Sequence, residues 1–342
     1  MAYLLSDREY LTFDDVLIRP SFSTIKSRTT INTSTNFLDL GMKIPIISAN
    51  MDYVTGPEMA IAMWESGGFG VLHRFTDWPT QVKSMEMLHA SNVPIAISLG
   101  VRDPDESLFR STVAETLGQA IICIDVAHGD HEQVESLIKR IKSETSCKII
   151  AGNVATQEGF SRLARAGADA IKAGIGPGSV CTTRTVAGVG VPQLSAIMEI
   201  DLYRKQSLYT NVQIIADGGI KSSGDIVKAL AAGADAVMLG NLLAGAVETP
   251  SPVIEVGDGR RYRAYRGQSI FGTNGLRETP EGISGYVEEK GKVADILKRL
   301  VGGLRSGMSY VGASNLRELR DAEFIKVSNM SHIETNTRVH TL

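Results

Sequence analysis

Ala166-Gly167-Ala168-Asp169, running into Ala170-Ile171-Lys172-Ala173-Gly174-Ile175, is the stretch that decides the fold. The phrase returns as Ala232-Gly233-Ala234-Asp235 ahead of Ala236-Val237-Met238-Leu239. Each phrase closes a helical segment on a glycine suited to the left-handed position past a helix end, then opens a short apolar run. Six further runs of this kind lie upstream and between: Ile44–Ser48, Phe69–His73, Pro94–Leu99, Ala120–Asp125, Lys148–Asn153 and Val212–Asp217. They are near-continuously apolar, as expected for parallel strands covered on both faces. The segments between them are amphipathic: in His131–Glu144, Val134, Leu137, Ile138 and Ile141 fall at i, i+3, i+4 and i+7. Eight such strand–helix pairs in one chain predict a closed (β/α)8 TIM barrel rather than a doubly wound sheet.

No Pro/Ser-rich linker or low-complexity tract divides the chain, so residues 1–342 are read as a single domain. Two stretches break the rhythm: Gly174–Gly190, and Ser251–Gly291 ahead of a predicted helix over Ala294–Leu304. Both are expected to be long irregular insertions at the C-terminal ends of the strands, where barrel active sites are built. The tail Ser328–Leu342 is polar and is read as flexible or as packing on a neighbouring subunit.

Composition narrows the function. Hydrophobic residues make up 43% and charged residues 21%, ordinary for a chain burying a sizeable core. A net charge of −3 supplies no basic field for nucleic acid or an anionic membrane. The start lacks a cationic and apolar leader, and no apolar run approaches the roughly 20 residues that span a bilayer. Three cysteines make no disulfide framework and show no CxxC spacing, and the six histidines show no ligand pairing. A cytoplasmic enzyme of small molecules is expected.

Gly174-Ile-Gly-Pro-Gly-Ser-Val-Cys-Thr-Thr-Arg184 carries the chemistry. Its glycines let backbone approach a ligand closely, and they present Cys181 on a polar loop after a strand, where a thiol is accessible and can act as a nucleophile. A lone cysteine is more often a buried structural one, which is how Cys123 and Cys147 read: Cys123 lies in an apolar strand, and Cys147 is placed at the end of a polar helix. Ala216-Asp217-Gly218-Gly219 and Met238-Leu239-Gly240-Asn241 end strands 7 and 8. Backbone amides there form the usual phosphate cradle of barrels, and Asp217 can accept from ribose hydroxyls.

At these residues the chain resembles the IMP dehydrogenase/GMP reductase family. The likeness runs from Leu11-Thr-Phe-Asp-Asp-Val-Leu-Ile-Arg-Pro20 to about Arg320. It takes in Ser48-Ala-Asn-Met-Asp52, Ile124-Asp125, Ala151-Gly-Asn-Val154, the Cys181 loop, Ala216-Asp-Gly-Gly219, Tyr265-Arg-Gly267 and Gly302-Gly-Leu-Arg-Ser306. The resemblance implies that Cys181 adds to purine C2 of a nucleoside monophosphate. It implies further that Ser179, Gly219, Gly240 and Asn241 hold the phosphate and Asp217 the ribose. Ala49, Met51, Tyr265, Gly267, Gln268 and Ser269 would line the nucleotide site, although position 268 is usually Met. Asp125 and Asn153 match positions beside the nicotinamide. The carbonyls of Gly176, Gly178 and Cys181 match a monovalent-cation loop, with K+ as its occupant, and the family's homotetramer is implied.

Within the family, the features of the reductase branch weigh more. The interval from Gln268 to Pro280, in a flap expected over about 267–291, contains no Arg-Tyr pair of the kind dehydrogenases use for hydrolysis. The tandem CBS regulatory insertion is missing between strands 2 and 3, and Ala49-Asn50-Met51-Asp52 has the reductase form. The implied reaction converts GMP to IMP and ammonia with NADPH, with Glu281 and Thr183 delivering the proton. Gly67–Arg74, Val186–Pro192 and Ala127-His128 look dehydrogenase-like. An IMP dehydrogenase without CBS domains, making XMP with NAD, is therefore the alternative, and a non-catalytic purine-nucleotide-binding paralogue is a third reading.

Overall fold

The computed structural model describes residues 9–101, 120–257, 259–272, 275–276 and 278–328. Eight parallel strands form one sheet: β1 (Ile46–Ser48), β2 (Phe69–Gly70), β3 (Ala96–Leu99), β4 (Ile121–Asp125), β5 (Lys148–Val154), β6 (Ala170–Ala173), β7 (Gln213–Asp217) and β8 (Ala236–Leu239). They neighbour one another in chain order, with β8 beside β1. Leu72 bridges Ile97 and accepts from Ser98 N at 3.0 Å, which closes β2 onto β3. The result is the expected (β/α)8 barrel, with no inserted module between β2 and β3, only α2 (Trp78–Ala90). Other helices on the outside are α1 (Pro57–Glu65), α3 (Glu132–Glu144), α4 (Gln157–Ala166), α5 (Gln193–Gln206) and α6 (Ser223–Ala231). A longer α7 (Val293–Tyr310) covers the ground between α1 and α6.

Period-two alternation sorts the core into two layers. In β4, Ile121 and Cys123 face the barrel axis while Ile122 and Ile124 pack under the helices. A hairpin of Thr35–Phe37 and Leu40–Met42 plugs the lower end with Phe37 and Met42, both essentially fully buried.

The repeated Ala-Gly-Ala-Asp phrase has a physical explanation. Gly167 and Gly233 end α4 and α6 with φ of 112° and 119°, a region that disfavours side chains. The aspartate that follows reaches sideways. Asp169 accepts from Ile149 N at 2.7 Å, and Asp235 accepts from Ile214 N at 2.7 Å, so each carboxylate pins the neighbouring strand. Asp235 also receives Arg204 at 2.5 Å and Arg320 at 2.6 Å. Arg204 is buried, so Asp235→Ala leaves an under-compensated interior cation and should cost roughly 3 kcal/mol in urea unfolding. Asp169→Ala, whose Lys142 partner is more exposed, should cost about 1 kcal/mol. Equal losses for the two would contradict this account.

Three expectations need correction. The stretch over Ser251–Gly291 is not irregular: β9 (Val253–Glu255), β10 (Arg261–Arg266) and β11 (Ser284–Glu288) form an antiparallel sheet, β9-β10-β11 in order. Charged residues interrupt these strands, and although β9 and β10 pair as a hairpin, β11 joins β10 only across a long intervening segment, so no apolar alternation marks the sheet. Cys147 does not end a helix: α3 stops at Glu144, and Cys147 is buried in the turn before β5. Several strands are shorter than predicted, because the chain leaves the ladder early. Pro94 has no N–H to donate, and Gly174 turns the backbone out of β6. The tail expected to be flexible or subunit-packed lies, beyond Ser328, outside the described residues.

Candidate active site

The C-terminal ends of the strands open into a cavity of about 450 Å³, within the range of small-molecule sites. Its contributors follow from strand ends: Ala49 follows β1, Asp125 ends β4, Asn153 lies in β5, Gly174 follows β6, Asp217 ends β7 and Gly240 follows β8. Gly174 has φ of 142°, and a Cβ there would fall 2.2 Å from the carbonyl oxygen of Asp217, so no other residue fits. This tight crossing launches the Cys181 loop across the barrel mouth.

Cys181 is half-buried and lines the cavity. Its Sγ lies 3.2 Å from Thr183 Oγ1, and Thr183 donates to Glu281 Oε2 at 2.7 Å. Backbone bonds dock the Glu281 segment against the loop: Thr182 N donates to Glu281 O at 3.1 Å, and Ile283 N to Val180 O at 3.0 Å. Sulfur, hydroxyl and carboxylate therefore form a continuous hydrogen-bonded row. By contrast, burial pushes the Cys123 thiol up to about 12, and it stays protonated.

The cavity is also lined by Ser179, Gly219, Gly240, Asn241 and Tyr265. Tyr265 is buried, and burial raises its phenol to about 12, so it remains a neutral donor. Gln268 donates to Asp52 Oδ1 at 2.7 Å, and Arg266 holds the other carboxylate oxygen. A carboxylate only accepts, so the amide orientation of Gln268 is set, leaving its carbonyl oxygen as the spare group.

A family model for the IMP dehydrogenase / GMP reductase domain matches residues 10–340. The chain belongs to that family. It is 47% identical over 257 residues to the inosine-5'-monophosphate dehydrogenase of Aquifex aeolicus, a match covering 71% of this chain and 52% of that one, or about half its length. The inosine-5'-monophosphate dehydrogenase of Borreliella burgdorferi is 35% identical over 401 residues, covering 96% of each chain. The GMP reductase of Bacillus licheniformis is 36% identical over 320 residues, covering 93% of this chain and 96% of that one. Relatives bearing both names match at comparable identity over nearly full length.

In this IMP dehydrogenase / GMP reductase family member, all the site residues named from sequence line the one cavity. Cys181, Thr183 and Glu281 stand together, and Ala49, Met51, Asp217, Gly267 and Ser269 line the same cavity. Asp125 and Asn153 lie on the β4–β5 side, and Gly176 and Gly178 lie in the loop below Cys181. Both Asp125 and Asn153 are already engaged. Asp125 pairs with Lys172 at 2.5 Å, and Asn153 Nδ2 donates to Asp217 Oδ2 at 2.8 Å and to Gly174 O at 2.9 Å.

The sequence reading missed Lys172, Asn50, Arg74 and Gln193, all in the cavity wall. Lys172 offered a signal: a lysine within an otherwise apolar central strand must be paired. Among the described residues no group of His, Cys, Asp or Glu could hold a metal, and no helix is long and apolar enough to cross a membrane.

Proposed function

We propose that the protein is a GMP reductase-like enzyme, converting GMP to IMP and ammonia with NADPH through a covalent Cys181 intermediate. The observation that carries this reading is the row Cys181–Thr183–Glu281, which puts a hydroxyl and a carboxyl able to relay a proton within two hydrogen bonds of the nucleophile. Cys181 Sγ bonds to purine C2. A proton passes from the Glu281 carboxyl through the Thr183 hydroxyl to the 2-amino group, which leaves as ammonia. NADPH, when bound, supplies a hydride to C2. The Sγ–C2 bond then breaks, returning the thiolate and releasing IMP.

The residues fit the groups assigned to them. Amides at Gly219, Gly240 and Asn241, with Ser179 and the neutral Tyr265, would receive the phosphate. Asn153 has committed its Nδ2 protons, so its Oδ1 remains to accept from a carboxamide on the dinucleotide side, next to Asp125. The carbonyls of Gly176, Gly178 and Cys181 are neutral oxygen donors suited to K+ rather than to a divalent ion. Gly178 O accepts from Cys181 N at 3.1 Å and keeps a second lone pair. A cytoplasmic homotetramer belongs to the same proposal.

A second reading is an IMP dehydrogenase forming XMP with NAD, favoured by the 47% identity to the Aquifex aeolicus enzyme. There the same hydroxyl–carboxylate pair would accept a proton from water. Incubation with GMP and NADPH, and separately with IMP and NAD+, distinguishes the two by absorbance of the reduced nicotinamide. Loss of absorbance with GMP is expected. Formation of NADH from IMP would overturn the reductase reading, and tight nucleotide binding without turnover in either direction would favour a non-catalytic paralogue.

A further inference from the structure

We propose that Lys172 is a positioning residue shared by two subsites, one buried cation that orients Asp217 for the nucleotide's ribose and Asp125 for the dinucleotide. The proposal rests on the reading of the cavity as a purine-nucleotide and dinucleotide site.

The geometry comes from three strands. Lys172 lies in β6 with its side chain on the barrel axis, and the residue is 2% exposed. Its Nζ is 2.5 Å from Asp125 Oδ1 at the end of β4 and 3.3 Å from Asp217 Oδ2 at the end of β7. The third acceptor is Asn50 Oδ1 at 3.3 Å, and Asn50 is itself held by its Nδ2 bond to Ser98 in β3. An ammonium has three protons, and here it meets three acceptors. Gly152 in β5 makes the room, because a Cβ there would stand 2.7 Å from Lys172 Cβ.

The arrangement leaves binding groups facing outward. Asp217 Oδ2 is occupied by Lys172 and Asn153, whereas Oδ1 makes no protein hydrogen bond among the described residues. Both carboxylates line the cavity, on the two sides assigned to different substrates. The charged and titratable groups around Lys172 are Asp125 and Cys123 from β4, Asp217 from β7 and, beside Asp125, Arg74 after β2. Burial alone would lower the lysine, but Asp125 and Asp217 outweigh it and hold the ammonium charged. Burial would likewise raise Asp125, but Lys172 holds it below the ordinary carboxylate range.

Removing the cation therefore acts on both sites at once. In Lys172→Met, Asp125 loses the cation that holds its carboxyl down and keeps Arg74 beside it, so its proton affinity rises, while Asp217 loses the contact that fixes its orientation. Asp125 is then protonated at low pH and ionised again as pH increases. The expected result is a KM for nucleotide and for dinucleotide each raised about tenfold or more at neutral pH, with the acid limb of kcat/KM moved to higher pH. Lys172→Arg keeps the charge and should retain the wild-type position of that limb even where KM is raised. Circular dichroism and thermal unfolding establish that both variants fold.

A Lys172→Met enzyme with one KM raised and the other unchanged, or with an unmoved acid limb, overturns the tether. If the wild type turns over neither substrate pair, the functional reading fails first. Calorimetric titration with GMP and IMP then reads the tether alone: weakened nucleotide binding in Lys172→Met supports it, and binding equal to that of the wild type overturns it. Absence of nucleotide binding by the wild type overturns both.

Discussion

Replacing Cys181 with Ala is expected to lower kcat by more than about 10⁴-fold while leaving nucleoside monophosphate binding within a few-fold of wild type. Among the described residues Cys181 is the one cysteine that lines the cavity, since Cys123 is enclosed and protonated and Cys147 is buried ahead of β5. In the proposed function the phosphate is received by backbone amides, Ser179 and Tyr265, none of which needs the thiol. Binding and chemistry should therefore separate. Calorimetry with GMP and with IMP, beside turnover assays, checks this. A Cys181→Ala enzyme retaining a tenth of its activity would remove the covalent mechanism for either direction of hydride transfer. Mass spectrometry of the wild type quenched during turnover supplies a direct measure, the mass of a nucleotide adduct on the Cys181 peptide.

Glu281→Gln is the second large effect, an expected loss of about 10²- to 10⁴-fold in kcat with little change in KM. The amide is nearly isosteric and can still accept the 2.7 Å bond from Thr183, so the segment carrying residue 281 stays docked. It cannot cycle a proton, and the leaving amine cannot be neutralised through the hydroxyl. Thr183→Val breaks the same row at its middle and should lose a comparable factor. Because the two residues act in series, the double variant should lose little more than either alone. Multiplicative losses would mean that they serve separate functions.

The family resemblance made this pair legible, and the chain's own local pattern did not. Glu281 and Thr183 are 98 residues apart, and a glutamate in a loop is ordinarily solvated. The Cys181 loop was readable directly, since three glycines and a run of small polar residues after an apolar strand have few structural uses. Lys172 went unread for the opposite reason. In a list of strands it is one polar residue among apolar ones, and its meaning depends on Asp125 and Asp217, which only a closed barrel brings to it. The β9–β10–β11 sheet was hidden for a related reason. Arg261, Arg263 and Arg266 interrupt its pattern, and its register joins Tyr262 to Glu288 and Arg266 to Ser284.

The barrel itself was determined by the sequence alone, because apolar period, helix stops and the Ala-Gly-Ala-Asp phrase are properties of adjacent residues and act within a few turns of chain. Tertiary structure alone decided which ionic groups meet at the cavity floor. Charges separated by tens of residues interact strongly only when folding brings them within a few ångströms and strips away their water. Lys172 between Asp125 and Asp217 exists as a unit only after that approach.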